Sequence, residues 1–258
     1  MSGAIALAGR AALMTGAGLV KCAVPKSVLP IVAPFMPEIM TAPLQENRSG
    51  CISLDAYQEI QRLSEPATVV ALGPGLGRSL GLTALIAKLY RNLPKPMIVD
   101  ADALNALAER KFDETWKTAF PRILTPHPGE FARLIGRTIP KEEPATQAAR
   151  IELVRNFAAK TGAITLLKGH ETIITDGKSF AVNGTGNSGM ATGGSGDVLT
   201  GIIAGLIAQR LSPWDAAVGG AYLHGAAGDV AAKKCGEASL LASGIIDGIP
   251  EILRIFPH

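Results

Sequence analysis

Residues Asn183 to Gly201 read NGTGNSGMATGGSGDVLTG. The stretch is crowded with Gly and Asn, holds no Pro, and carries one charge, Asp197. Glycine lets main-chain N–H groups come close to a ligand and adopt positive φ at small steric cost. The apolar residues that follow, Val198, Leu199, Ile202, Ile203, Leu206 and Ile207, recur at helical spacing. A glycine loop feeding a helix start is a ready anion site, because unpaired amides and the helix dipole both face the loop. Asp197 falls in the first turn of that helix. As a cap it would complement the dipole, the commoner use of such an acid. As a general base it would take a proton from a hydroxyl, since an ordinary Asp, with a pKa of about 3.9, is ionised at neutral pH. A helix that needs only a cap has no use for Gly189, Gly193, Gly194 and Gly196 ahead of it. Gly184, Gly186 and Gly189 match a dinucleotide-binding spacing, but more loop follows where a helix should open. No Walker-type phosphate loop occurs.

The 258 residues are 47% hydrophobic and only 5% aromatic, which predicts one large α/β core built from Ala, Val, Ile and Leu. Net charge is +3 and scattered, with no basic stripe, so nucleic acid is not an expected partner. Cys22, Cys51 and Cys235 form no C-x-x-C pair, as expected of a reducing cytoplasm. The N-terminus lacks the basic start of a signal peptide. The apolar run Val198 to Ala208 is too short to cross a bilayer, so no membrane role is expected. No repeat, linker or charge block divides the chain, and residues 1–258 are read as one domain.

Around the loop, helix and strand patterns alternate. Ser2 is placed to cap a first helix, ended by Gly16 and Gly18. Strands are predicted at Leu19 to Val24, Glu38 to Leu44, Thr68 to Leu72, Met97 to Val99, Arg122 to Thr125 and Ala163 to Leu167. Helices are predicted from Ser53 to Leu63, Ser79 to Tyr90, Ala103 to Glu109 and Thr146 to Thr161, and another begins at Glu130. Ile173 to Thr175, the turn Asp176-Gly177 and Ser179 to Val182 read as an edge hairpin. Helices Val198 to Gln209, Trp214 to Lys234 and Ile245 to Ile255 complete the chain, the second with a face of small residues for close helix contact.

Several polar groups fall at the carboxyl ends of the predicted strands, where open α/β sheets bind ligands. GPGLG, Gly73 to Gly77, is either a tight turn or a close backbone approach to a ligand. Asp100 and Asp102 face a magnesium-bound phosphate or, for one of them at least, cap the next helix. His127 is pinned between Pro126 and Pro128, a better than usual ligand contact. Glu130 reads locally as a dipole complement, and Lys168 as a solvated lysine.

Together GPGLG, VDADALN, TPHPGE, LLKGHET and NSGMATGGSGDVLTG, in that order, resemble the NAD(P)HX dehydratase family of ribokinase-like fold. The resemblance covers nearly the whole chain, and TPHPGE separates it from sugar and vitamin kinases of that fold. It implies a three-layer α/β/α sandwich with a mostly parallel central sheet and an antiparallel edge hairpin. It implies an ADP-dependent (or ATP-dependent) hydro-lyase, using Mg²⁺, that restores NADH or NADPH from the hydrates NADHX and NADPHX. Phosphorylation of the C6 hydroxyl would make it a leaving group. Asp197 would be the base, and amides of Gly194, Ser195 and Gly196 would hold the phosphoryl group. Lys168, Gly169, His170, Glu171 and Thr172, with Asn187, Ser188, Gly189, Met190, Ala191, Thr192 and Gly193, would surround the nucleotide. Ala4, Gly75 and His127 would meet the hydrate. The implied metal ligands stay unassigned, and a homo-oligomer, up to a tetramer, is expected. The family usually carries a strand ahead of the Ser2-Gly3-Ala4 segment, so one sheet strand is expected to be lacking here. A small-molecule kinase and a non-catalytic nucleotide-binding protein are the alternatives.

Overall fold

The computed structural model describes residues 1–136 and 146–255. From the N-terminus run α1 (Ser2–Met14), β1 (Val20–Pro25), α2 (Leu29–Val32), β2 (Ile39–Leu44), α3 (Tyr57–Ser64), β3 (Val70–Leu72), α4 (Leu80–Asn92), β4 (Met97–Val99) and α5 (Ala101–Glu109). Then come β5 (Arg122–Leu124), α6 (Pro128–Leu134), α7 (Gln147–Thr161), β6 (Ile164–Leu167), β7 (Thr172–Thr175), β8 (Phe180–Asn183), α8 (Ser195–Ala208), α9 (Pro213–Cys235) and α10 (Ala242–Leu253).

Alternation along the short strands sets the layers. Met97, Val99, Leu124, Leu167 and Ile173 pack with residues of α4, α5, α6 and α7 on one face. Ile98, Ile123, Leu166 and Ile174 turn the other way, onto α8 and α9. The order is β3-β4-β5-β6-β7-β8, parallel as far as β6 and antiparallel through the β7–β8 hairpin. This is the three-layer arrangement expected of a ribokinase-like fold, edge hairpin included.

One difference concerns the sheet. β1 and β2 pair with each other in a separate parallel sheet. Among the described residues, β1 has no strand partner other than β2, and β3 none other than β4. The helix layer is nevertheless continuous, because α1 lies along α8. A Cβ on Gly201 would meet the Ala8 carbonyl and Ala11, and one on Gly205 would meet Thr15 at 2.6 Å, so these glycines let the two backbones touch.

Local signals end the elements as their chemistry dictates. Thr146 caps α7 through its hydroxyl, and Gly162, at φ +71, ends it. In the hairpin turn, Asp176 accepts from the Lys178 and Ser179 amides. Ser53 caps a 3₁₀ turn, with α3 starting at Tyr57, and Ser2 lies inside α1 with Met1 as the uncapped N-terminal flank. Arg122 is fully buried without a carboxylate; its guanidinium donates to the carbonyls of Tyr90, Leu93, Lys95 and Pro121.

Two glycines that look alike in sequence should respond oppositely to alanine. In a helix interior alanine is favoured by about 0.5–1 kcal/mol. Gly201→Ala drives a Cβ into main chain that cannot turn aside, and should lose about 1–3 kcal/mol. Gly219→Ala meets nothing closer than Leu206 at 3.7 Å and should gain up to about 1 kcal/mol. Urea midpoints of the two variants check the signs.

Candidate active site

Carboxylates and one ammonium converge where β4, β6 and α8 meet. Asp100, just past β4, is 1% exposed. Its position is that of the α5 N-cap, but its side chain does not cap. One oxygen takes Lys168 Nζ at 2.8 Å and the other takes the Thr200 hydroxyl at 2.9 Å. Asp102 accepts from the Gly77 amide at 2.8 Å. The expectation that one of the pair caps α5 is therefore corrected: both carboxylates reach across to other strands or helices. Lys168 is not a solvated lysine either, being held by Asp100 and standing 3.9 Å from Glu130.

The turn around His127 lies on the same side of the sheet. The Lys168 amide donates to the Pro126 carbonyl at 2.8 Å. His127 Nδ1 accepts from the Gly129 and Glu130 amides, while Glu130 accepts from the His127 amide, a capping box that starts α6. Glu130 is thus a cap partner rather than a free dipole complement. Burial, offset in part by Glu130, holds the imidazole below its usual pKa. Its Nε2 edge stays half-exposed, 3.5 Å from Glu130.

α8 starts three residues earlier than its apolar pattern suggests, at Ser195. Gly194, at φ +89, turns the chain into it. The Ser195 amide bonds the Thr192 carbonyl at 3.3 Å, which corrects its expected place among the open amides. The Gly194 and Gly196 amides have no acceptor among the described residues. A Cβ on Gly196 would lie 3.2 Å from Lys168 Nζ, so the ammonium stands beside that amide.

Asp197 occupies the third position of α8, with Thr200 one turn on. It lies in the first turn, as expected, and its side chain makes no capping hydrogen bond. Half-buried, it faces Asp100, Lys168, Asp102 and the Met1 ammonium. Burial and the two neighbouring carboxylates push its pKa up to about 6, against Lys168 and the N-terminus.

The remaining predicted residues fall into two groups. Ala4 and Gly75 touch, and the Met1 ammonium donates to the Gly75 carbonyl at 2.7 Å. The loop from Asn187 to Gly193 is docked on α9 and the turn beyond it. Asp229 accepts from the Gly186 amide and the Asn187 side chain, both at 2.9 Å, and Glu237 takes the Ser188 hydroxyl. Gly225 and Gly228 leave room for Thr185 and Met190, so the small-residue face of α9 is used within the chain. Gly169 bonds Thr172, while His170 and Glu171 are exposed on that turn. Thr200, Asp229 and His224, which the sequence reading passes over, belong to this region; no local pattern marks them, because their partners lie far along the chain.

Two hollows of about 440 and 400 Å³ lie outside this site, beside Arg91 and Trp116 and beside Lys26 and Glu46. Among the described residues no three His, Cys, Asp or Glu side chains converge as a metal cluster, and both oxygens of Asp100 are already engaged. Such a donor set fits a cation carried mainly by phosphate oxygens, the usual habit of Mg²⁺ with nucleotides.

A family model described as NAD(P)H-hydrate dehydratase matches residues 1–251. The bifunctional NAD(P)H-hydrate repair enzyme Nnr of Moorella thermoacetica is 48% identical over 98% of this chain and 47% of its own length. The ADP-dependent (S)-NAD(P)H-hydrate dehydratase of Neisseria meningitidis is 40% identical over 98% of this chain and 81% of its own. The ADP/ATP-dependent NAD(P)H-hydrate dehydratase of Bacillus subtilis, co-crystallized with ATP/Mg²⁺, superposes with a TM-score of 0.82 at 31% identity, over 100% of this chain and 86% of that one. The chain spans about half the length of the bifunctional relatives.

An acid whose pKa is higher folded than unfolded weakens the fold once it is ionised in both states. Asp197, raised from 3.8 to about 6, is such an acid. Asp197→Asn should melt above the wild type at neutral pH, and the gap should close as pH falls to about 4. Carboxyl-detected NMR should place the wild-type midpoint near 6 and show it lower in Asp100→Asn, where one of the raising charges is gone.

Proposed function

The chain belongs to the NAD(P)H-hydrate dehydratase family, and from that premise we propose that it restores NADH and NADPH from their 6-hydroxy hydrates with ADP or ATP as co-substrate. The observation that carries this reading is the pairing of a basic, half-buried Asp197 with open amides and an ammonium at the head of one helix. Phosphoryl transfer asks the protein mainly for position and charge stabilisation. The Gly194 and Gly196 amides and Lys168 stabilise the charge on the transferring group. Asp197 takes the proton of the C6 hydroxyl as that oxygen attacks the terminal phosphorus. The donor leaves as AMP, or as ADP when ATP is used. Phosphate then leaves C6 with the C6–O electron pair while a proton is lost from C5 to solvent, and the C5–H pair re-forms the C5=C6 double bond of the nicotinamide ring.

The loop from Asn187 to Gly193 and the turn from Lys168 to Thr172 form the nucleotide side of the site in this reading, and Ala4, Gly75 and His127 the hydrate side. Mg²⁺, where bound, would be held by the nucleotide phosphates and would neutralise their charge. Residues 1–258 act as one catalytic domain. Three free thiols support a reducing, cytoplasmic setting, and no described helix is long and apolar enough to cross a membrane. A homo-oligomer, up to a tetramer, is part of the same reading.

Incubation with Mg²⁺, ADP and NADHX should restore NADH absorbance and release inorganic phosphate in equal amount. A kinase of the same fold would leave a phosphorylated product and no phosphate. No NADH with either ADP or ATP would overturn the proposal. Asp197→Asn should lower turnover by about 10² or more while ADP still binds; unchanged turnover removes Asp197 as the base.

A further inference from the structure

His224 stands on α9 and turns its Nε2 to within 3.2 Å of Ser195 Oγ. Sequence assigns it nothing, since Ser195 lies 29 residues away. The ring is only partly accessible, and burial together with the Lys168 ammonium keeps it neutral, with a pKa pushed down to about 4. A neutral imidazole has one nitrogen that donates and one that accepts. The contact leaves the direction of that bond to the tautomer: the nitrogen facing Ser195 either donates to the hydroxyl or accepts from it. Ser195 is buried, and its amide is already engaged with Thr192. Its hydroxyl can accept from the ring and still donate once. The open Gly196 amide and Lys168 Nζ lie beside it.

We propose that His224 is a positioning residue: by donating Nε2–H to Ser195 Oγ, it leaves the serine O–H to bond the phosphoryl group held at the head of α8. The inference rests on the phosphoryl-transfer reading above and adds a third donor to the two amides. The serine thereby enters the site through its side chain instead of its main-chain N–H. With the ring absent, the hydroxyl would be free to turn its proton away from the anion.

The test uses the NADHX assay on four variants: Ser195→Ala, His224→Leu, their combination, and His224→Gln, whose amide donates at similar reach. Ser195→Ala and His224→Leu should each lower kcat by about 100-fold or more, the range for loss of one donor to a developing anion. KM for ADP should change little. The double variant should be no worse than the poorer single one, because both remove the same hydrogen bond. His224→Gln should recover most of the loss. Losses that multiply in the double variant, a Gln variant as poor as the Leu variant, or an effect confined to KM would overturn the proposal. A separate readout needs neither turnover nor variants. Long-range ¹H–¹⁵N spectra of the wild-type protein at pH 7 should show the Nε2–H tautomer at His224, and an Nδ1–H tautomer overturns the inference. A wild type inactive in the NADHX assay but bearing the Nε2–H tautomer would sink the dehydratase reading and leave the Ser195 geometry standing.

Discussion

The ion pair between Asp100 and Lys168 is the constraint from which the site follows. A carboxylate with 1% exposure has no water to satisfy it, and removing its partner would leave an uncompensated buried charge, at a cost of about 3–5 kcal/mol. Lys168 at the end of β6 and Thr200 on α8 together engage both of its oxygens. Apart from Arg122 and Thr165, the residues of β4, β5 and β6 are apolar, and the charges of the site lie beyond the carboxyl ends of the strands. β4, β6 and α8 are thereby fixed to one another at the point where the Gly194–Gly196 turn opens. Glu130, near the same ammonium, brings the start of α6 and His127 to that point as well.

The pair also decides how basic Asp197 is. A helix N-terminus favours the ionised form of an acid in its first turn. Here burial and the charges of Asp100 and Asp102 outweigh that preference, and Lys168 offsets them only in part. The outcome is an acid still mostly ionised at neutral pH, yet a better proton acceptor than a surface aspartate. The same arrangement leaves the fold carrying an unfavourable charge. An arrangement built for stability alone would place a capping residue there, and α8 has none.

What the sequence made legible was local. The Asp176-Gly177 turn and the 3.6-residue period of α7 and α8 depend on residues a few positions apart, and each element is present, with α8 starting three residues early at Ser195. The glycine loop before α8 was readable for the same reason. What stayed hidden depends on partners remote in sequence. Asp100 looked like a cap because the residue before a helix usually is one; its true partners lie 68 and 100 positions away. Arg122 looked like a strand residue, but its guanidinium gathers carbonyls from the end of α4 and the chain beyond it. His224 sat in a row of small residues whose packing role was visible and whose one polar member was not. Hydrophobic period likewise identifies a strand without naming its neighbour, so the pairing of β1 with β2 was not readable from it.

The glycines of the loop separate into kinds once their surroundings are known. Gly186 and Gly194 have positive φ, which excludes most side chains. Gly189 lies against the Glu237 main chain, so it is small for packing. Gly193 has neither reason: its φ is not in the left-handed region, and a Cβ there would meet nothing within 4 Å. A residue with open space and an ordinary backbone could carry any side chain without cost to the fold. The position is exposed and stands directly before Gly194 and the open amides. Gly184 shares both properties, so packing and backbone leave two glycines of the stretch without a reason, and of the two Gly193 is the one beside the open amides.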